Sequence, residues 1–412
     1  MKKVITNIYE YFRQCDAVLW LLTLTAVAYS FLLIASMQRS GEYSYLRTQI
    51  IAVSVGLAAS VFISIADYRF LIRKWYIAAI VGIVLAGLVF VFGVQVSGTD
   101  DTAWINLPGG FSIQPSEFVK ILFVFFIASM LYKSTDLKQL AITSGVSAVF
   151  VLILVASNDL GGALLYFFTY LVMIYVATKR FYIFAGGLAF VGLGMYAGYH
   201  LFSHVKNRIV AWLDPLSVID KAGYQVCQSL FAIGTGGLFG FGLGQGLPNK
   251  IPIVSKDFII AAISEEMGGI FAVCLIMVCV NCFLMIFNLS MQMKDAFYKY
   301  VALGLGSVYA LQVLLTVGGS TKFIPMTGVT LPLVSYGGSS LLSTMIIFGM
   351  IQGMYIMQAA PEKRRKIDDK RRKDHETKNR QKQTAKEPGA QRSQQRRRKP
   401  AAGGKNSTKT QK

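Results

Sequence analysis

Histidine and cysteine are scarce in this 412-residue sequence, with three and five copies respectively. The cysteines lack the paired spacing of a disulfide framework, and the histidines do not combine with them into a zinc-binding pattern. Charged residues are also few, at 15% of the chain, whereas hydrophobic residues make up 54% and the mean hydropathy is +0.50. A soluble domain carries a larger charged fraction, so the composition excludes that class and indicates a membrane protein.

Ten apolar runs are long enough, or nearly so, to cross a hydrocarbon core about 30 Å thick. We therefore predict an all-α polytopic membrane protein with about ten transmembrane helices. The predicted domains are a short N-terminal segment (1–16), a membrane domain (17–359) and a tail (360–412). The predicted spans lie near 17–37, 46–66, 76–96, 116–132, 140–156, 160–177, 181–199, 259–287, 299–318 and 339–359.

The short loops indicate the orientation of the chain, because Lys and Arg favour the cytoplasmic side of a membrane. Basic residues precede the first span and follow the second, fourth, sixth and eighth spans, whereas the opposite loops are acidic or mixed. Both termini are therefore predicted to be cytoplasmic. The loops predicted to face outward are 97–115, 157–160, 319–338 and 200–258, of which the last is a large loop between spans 7 and 8.

The tail differs from the membrane domain in composition. From Pro361 onward it holds 20 Lys or Arg against 6 Asp or Glu, and it has almost no aliphatic residues. Such a segment cannot bury a core, so we predict that it is disordered. A polybasic segment beside a membrane attracts anionic lipid, which we expect as a partner. It lacks interleaved aromatic residues, so we expect no nucleic-acid partner.

Three carboxylates occur where the eighth apolar run begins. Asp257 stands at its predicted water-facing end, and Glu265 and Glu266 lie deeper in the run. A carboxylate inside a bilayer costs about 2.5–3.5 kcal/mol on insertion scales, so it usually faces a protein interior or a wet cavity. The two glutamates fit either a functional path or interhelical hydrogen bonds, whereas the position of Asp257 favours contact with a polar substrate.

The other predicted outer stretches are rich in glycine, proline and polar residues. Directly after the first outer stretch, Glu117 and Lys120 are spaced to form a local ion pair at the start of a helix. A charged pair at a membrane entry also fits a binding role. The motifs are Trp104-Ile105-Asn106, Gln114-Pro115-Ser116-Glu117, Asp159-Leu160-Gly161, Leu213-Asp214-Pro215, Gly223-Tyr224-Gln225 and Ser335-Tyr336-Gly337-Gly338-Ser339-Ser340.

Together with the run that begins at Asp257, these motifs resemble the SEDS family (shape, elongation, division and sporulation; RodA/FtsW/SpoVE-like proteins) over roughly residues 15–358. They occur in the family order. The resemblance implies a peptidoglycan glycosyltransferase that polymerises lipid II into glycan strands for cell division, elongation or sporulation. It places the active site on the outer face of the bacterial cytoplasmic membrane, and it identifies Asp257 as the catalytic general base.

The departing lipid pyrophosphate needs charge compensation, either from Lys and Arg or from a divalent cation such as Mg²⁺ or Mn²⁺. No metal ligands can be named from the sequence. The resemblance also implies a class B penicillin-binding protein, a transpeptidase, as partner. The residues predicted to bind substrate are Glu117, Lys120, Asp159, Arg208, Lys256, Lys322, Ser335 and Ser339.

Two other functions remain open from the residues alone. Ten spans with intramembrane charges also fit a flippase for a lipid-linked precursor, although no repeated pair of interrupted spans is visible. A non-catalytic scaffold of a cell-wall synthase complex is the second alternative. Replacement of Asp257 distinguishes them, because only an enzyme depends on its general base.

The charge asymmetry of the loops generates a test of orientation. Cysteines introduced as Gly110→Cys and Asp136→Cys should label from opposite sides of the membrane, with position 110 reachable from outside and position 136 only from inside. The measurement is labelling of intact cells with a membrane-impermeant thiol reagent. The reverse pattern would overturn the predicted orientation of every outer loop.

Overall fold

The computed structural model describes residues 15–38, 44–64, 68, 70–94, 103–107 and 111–358. The predicted tail and nearly all of the predicted N-terminal segment lie outside these residues. The helices are α1 (Ala17–Gln38), α2 (Ser44–Ser64), α3 (Phe70–Arg73), α4 (Trp75–Gly87), α5 (Val89–Phe92), α6 (Ser116–Lys133), α7 (Leu137–Ala156), α8 (Leu160–Thr178), α9 (Phe181–Leu201), α10 (Ser203–Leu213), α11 (Tyr224–Gly236), α12 (Ile259–Met267), α13 (Gly269–Met291), α14 (Ala296–Ser320) and α15 (Gly338–Gln358).

In the described part of the chain, nine helical segments are long and apolar enough to cross a membrane. They are α1, α2, α4 with α5, α7, α8, α9, α13, α14 and α15. The predicted span 116–132 corresponds to α6, which has 18 residues but carries the charges of Glu117, Lys120 and Lys133. The prediction of an all-α polytopic protein with about ten spans is confirmed, and the cytoplasmic location of both termini stays a prediction.

Helix α6 lies at the centre of the membrane domain and packs against α4, α8 and α14. Its aromatic side chains fill the core: Phe123 and Phe126 have no exposed surface, and Phe125 is 2% exposed. Close packing around α6 also encloses Glu117 and Lys120, which are 8% and 1% exposed. The charged pair of the predicted span 116–132 is therefore shielded from lipid by the surrounding helices.

Helices α2 and α15 approach each other through small residues. A Cβ atom added to Gly349 would lie 2.5 Å from the backbone oxygen of Ser60, and one added to Gly353 would lie 2.1 Å from that of Ser64. The two glycines are four residues apart, as are the two serines. This is the small-residue spacing by which membrane helices bring their backbones close together.

Three short strands precede α6. β1 (Gly93–Val94) pairs with β2 (Trp104–Leu107), and β2 pairs with β3 (Phe111–Ile113), both in antiparallel register. The backbone N–H of Gln114, directly after β3, donates to Ser339 Oγ at the start of α15 (3.2 Å). The sheet thus connects the entry of α6 to the entry of α15.

The eighth predicted span is not one continuous helix. The prediction of a single run over 259–287 is wrong, because the chain breaks at Gly268 between α12 and α13. Gly268 adopts φ +89°, a backbone conformation that favours glycine. A Cβ atom at this position would also lie 2.3 Å from the backbone oxygen of Leu238. The break therefore lets a glycine-rich loop approach the helix backbone.

Glu265 and Glu266, which lie deeper in the eighth apolar run, connect α12 to neighbouring segments. Glu265 Oε1 accepts a hydrogen bond from the backbone N–H of Leu247 (3.1 Å), and Glu266 Oε2 accepts one from Ser36 Oγ on α1. Both side chains are buried. Of the two alternatives, the contacts favour structural hydrogen bonding between segments.

The large predicted loop between spans 7 and 8 has structure of its own. It contains α10, a 3-10 turn (Leu216–Val218), α11 and a second 3-10 turn (Pro248–Lys250). Helix α11 packs along α12. The loop therefore contributes ordered helices to the site described below.

The α2–α15 contact generates a stability prediction. Gly353→Ala should destabilise the protein by about 1–3 kcal/mol, since overpacking a close helix contact forces the backbones apart. Thermal unfolding in detergent measures the effect. Gly145→Ala on α7 is the control, because a Cβ there meets nothing within 4 Å. Equal melting temperatures for the two variants would contradict the proposed contact.

Candidate functional site

The predicted outer stretches meet around one cavity of about 300 Å³. Each stretch contributes at least two described residues, although the stretches are far apart in the sequence. The stretches that carry the family motifs therefore converge in space. The polar and charged residues on the wall include Trp104, Gln114, Ser116, Asn158, Asp159, Arg208, Gln225, Lys256, Asp257 and Thr330.

Asp257 lies on this wall, in the turn that precedes α12. Its backbone N–H donates to the carbonyl of Ile253 (3.2 Å), and its carbonyl accepts a hydrogen bond from Ser320 Oγ (2.9 Å). Its side chain approaches Gly328, where an added Cβ would lie 3.9 Å from Asp257 Oδ2. The backbone of Asp257 is thus held by hydrogen bonds while its carboxylate borders the cavity.

The adjacent cation, Lys256, also lines the cavity. Its ammonium nitrogen lies 4.5 Å from the centroid of the Trp104 ring, a cation–π contact between the sheet and the turn. Its carbonyl accepts a hydrogen bond from Ser335 Oγ. A positive charge is therefore held on the same cavity wall as Asp257.

Arg208 connects α10 to the loop that precedes α15. Its Nη1 donates to the carbonyls of Met326 (3.4 Å) and Thr327 (3.3 Å). One turn further along α10, Trp212 Nε1 donates to the carbonyl of Lys322 (3.1 Å). These bonds hold α10 over the cavity and place a guanidinium group on its wall.

Asp159 has a structural function at the start of α8. Its Oδ1 accepts a hydrogen bond from the backbone N–H of Gly162 (2.7 Å), which caps the helix. Its Oδ2 accepts hydrogen bonds from Gln114 Nε2 (3.3 Å) and Ser116 Oγ (3.2 Å). The carboxylate therefore joins the first and second outer stretches.

The floor of the cavity contains a buried polar network. Lys120 Nζ forms an ion pair with Glu117 Oε2 and donates to Gln312 Oε1 of α14 (3.0 Å). Ser343 Oγ of α15 donates to Glu117 Oε2 (3.0 Å). The predicted local pair is thus present, and it also connects α6 to α14 and α15.

Three residues predicted to bind substrate lie outside the described cavity wall. Ser335 Oγ also accepts from the backbone N–H of Leu331 (3.0 Å), and Ser339 receives the Gln114 bond described above. Lys322 is partly buried at a turn with φ +61°. The two serines have structural contacts in this conformation, and substrate binding by all three residues stays a prediction.

Several wall residues were not predicted from the sequence. Helix α10 places His204, Asn207 and Ala211 on the cavity together with the predicted Arg208, at positions i, i+3, i+7 and i+4. That spacing marks one face of a helix and could have identified the other three. Gln312 gave no such signal, because it is a single amide in a long apolar run.

A metal site can be tested against the same residues. Among the described residues, no group of three or more His, Cys, Asp or Glu side chains is arranged to hold a metal ion. Mg²⁺ needs only one or two carboxylates when substrate phosphates supply further ligands. Asp257 supplies one carboxylate on the cavity wall that suits this donor set.

Comparison with known proteins identifies the family. The family model for the FtsW/RodA/SpoVE cell cycle proteins matches residues 13–358. Peptidoglycan glycosyltransferase RodA of Mycobacterium tuberculosis is 37% identical over 316 residues, which cover 73% of this chain and 67% of the relative. Stage V sporulation protein E of Bacillus subtilis is 34% identical over 327 residues, covering 75% and 86%.

Solved structures share the fold. A chain of a peptidoglycan synthase complex superposes with a TM-score of 0.71 at 23% identity, covering 83% of this chain and 97% of that one. The rod shape determining protein RodA of Thermus thermophilus gives a TM-score of 0.62 at 24% identity, covering 83% and 96%. On the match to the family model and the identity to these relatives, the chain belongs to the FtsW/RodA/SpoVE family of cell cycle proteins.

Proposed function

We propose that this chain is a peptidoglycan glycosyltransferase that polymerises lipid II into glycan strands. Relatives named peptidoglycan glycosyltransferase RodA and FtsW support this activity. The main support is that Asp257, Lys256 and Arg208 all line one cavity. These groups match the two needs of the reaction, a proton acceptor and positive charge.

The reaction joins two lipid-linked disaccharides. The 4-hydroxyl oxygen of GlcNAc in one lipid II molecule forms a bond to the anomeric carbon of MurNAc in another. The bond from that carbon to the undecaprenyl pyrophosphate breaks, and the configuration inverts. The hydroxyl proton passes to Asp257, because a sugar hydroxyl at neutral pH needs a positioned base in the transition state.

One carboxylate is sufficient for this chemistry. Pyrophosphate is a good leaving group that needs charge stabilisation, whereas glycoside hydrolysis expels an alkoxide and uses two carboxyl groups. The contacts of Asp159 agree with a single base, because its carboxylate caps α8 and accepts hydrogen bonds from Gln114 and Ser116.

The cations on the wall have different roles. Lys256 and Arg208 are placed to balance the charge that develops on the leaving pyrophosphate. Lys120 is paired with Glu117 and Gln312 at the floor, so its main role is to hold α6 against α14. Mg²⁺ or Mn²⁺ bound by the substrate phosphates and Asp257 would supply further positive charge, and a loss of activity with a chelator would reveal it.

The reaction takes place on the outer face of the bacterial cytoplasmic membrane, where the predicted orientation puts the cavity. We propose a class B penicillin-binding protein as partner. One structural neighbour is a chain of a peptidoglycan synthase complex that coordinates polymerization and crosslinking, which supports such a partner. A complex of this kind would deliver each new glycan strand directly to a transpeptidase.

Replacement of the proposed base tests the mechanism. Asp257→Asn keeps the size of the side chain but cannot accept a proton at neutral pH, so polymerisation of purified lipid II should fall by about 10²–10⁴-fold. Thermal unfolding should change little, because asparagine keeps the size of the side chain and leaves the backbone hydrogen bonds of this position with Ile253 and Ser320 in place.

Asp159→Asn is the matched control on the same cavity wall. Asparagine is as good a helix cap as aspartate but replaces the oxygen that accepts from Gln114 and Ser116, so this variant should keep its fold and lose much less activity than Asp257→Asn. An active Asp257→Asn protein together with an inactive Asp159→Asn protein would assign the base to Asp159. Near-wild-type activity in both would contradict general-base catalysis by either residue.

A second test removes one proposed phosphate contact. Lys256→Gln should lower the rate by roughly 10–100-fold, since a hydrogen bond to a charged group contributes about 1.5–3 kcal/mol. Lys250→Gln, which removes an exposed cation from the preceding 3-10 turn, should leave the rate unchanged. The measurement is the initial rate of glycan synthesis at fixed ionic strength, and equal rates for the two variants would contradict the assignment.

A further inference from the structure

A second cavity, of about 440 Å³, lies between α7, α8 and α9. Its wall is mainly hydrocarbon, and the hydroxyls of Ser144 and Tyr170 hydrogen-bond to each other. A volume of this size falls within the range of about 300–1,000 Å³ that is usual for ligand sites. We call it the inner groove; Leu137, Leu140, Ala141, Ile174, Ile183 and Phe190 are among its lining residues.

The inner groove lies at the opposite end of these helices from the proposed active site. Leu137 is the first residue of α7 and Ile183 belongs to the first turn of α9, whereas Ile174 is near the end of α8. The other end of α7 and α8 carries Asn158 and Asp159, which line the first cavity. The groove therefore opens at the face predicted to be cytoplasmic.

Cations surround that end of the groove. Lys138 lies in the first turn of α7, and Lys179 with Arg180 forms the connection between α8 and α9. Lys138 and Lys179 are exposed. Lys133 at the end of α6 adds a fourth cation, and Asp136 is the acidic residue in the α6–α7 loop. The rim thus carries net positive charge.

Helix α9 leaves the groove open to lipid. None of its residues is buried, and it packs chiefly against α8 and α10. Gly187 brings α9 close to α8, since a Cβ there would lie 2.3 Å from Leu171 Cδ2. The space on the α7 side of α9 forms the groove, which therefore accepts an occupant from the bilayer.

We propose that the inner groove binds an acyl chain of an anionic phospholipid, with the headgroup held by Lys138, Lys179 and Arg180. The hydrocarbon wall suits the chain, and the cationic rim selects a negative headgroup. A transmembrane helix of a partner is an alternative occupant, but an apolar helix has no negative group to pair with the cations of the rim. The proposal is independent of the reaction at the first cavity.

Stability in defined lipid provides the test. Phosphatidylglycerol added to the full chain in detergent should raise the melting temperature by roughly 2–4 °C more than phosphatidylcholine, because a ligand that binds only the folded state stabilises it. The tail is present in every sample, so its own attraction to anionic lipid is common to all variants.

Removal of the rim charge should abolish this selectivity. The double variant Lys138→Gln/Arg180→Gln should weaken phosphatidylglycerol binding by about 30-fold, the Boltzmann factor for two cations near a lipid surface. Lys294→Gln/Lys299→Gln is the matched control, since it removes two cations from the α13–α14 region on the same predicted face. Equal losses in the two double variants would show a general surface effect and overturn the proposal.

A substitution that fills the groove distinguishes binding of an acyl chain from attraction of the headgroup alone. Ala141→Trp projects a ring into the groove from an exposed position and should abolish the phosphatidylglycerol shift, whereas Ile142→Trp, exposed on the same helix outside the groove wall, should keep it. An unchanged shift in Ala141→Trp would overturn the proposal. The proposal would also be overturned if the wild-type chain self-associates and Ala141→Trp abolishes that self-association. The occupant of the groove would then be a second copy of the chain.

Discussion

The buried ion pair between Lys120 and Glu117 is the interaction on which the membrane domain depends. It places two charges where lipid would make them costly, and Gln312 and Ser343 supply the hydrogen bonds that satisfy them. Removing one partner of such a pair leaves an uncompensated charge and typically costs about 3–5 kcal/mol. The pair therefore fixes α6 against α14 and α15, whose ends carry the loops around the cavity.

The cavity is built from chain segments that are far apart in the sequence, so contacts between them must bring them together. Asp159 ties the first outer stretch to the second, and Arg208 ties α10 to the loop before α15. Lys256 and Trp104 tie the sheet to the turn before α12. Side-chain contacts between loops thus hold the segments around Asp257, the proposed base, while the helices supply a rigid support.

The sequence was most informative where charge interrupts an apolar run. Asp257 could be selected because a carboxylate is costly near a bilayer, and Lys256 and Arg208 because they lie in a predicted outer loop and a departing pyrophosphate needs positive charge. The break at Gly268 was missed, because the hydropathy of the run continues across it and only the tertiary approach of the glycine-rich loop requires it. The position of Lys322 outside the cavity wall was equally inaccessible, since the path of a loop depends on contacts with distant segments.

The size of the first cavity limits what the protein can enclose. At about 300 Å³ it lies at the lower end of the range for sites that surround one drug-sized ligand. Two lipid-linked disaccharides with their peptides are far larger, so most of both molecules must remain in the bilayer or in the surrounding water. On the proposed reaction, the cavity contacts the junction between sugar and phosphate, and natural variation in the peptide stem should have little effect on the rate.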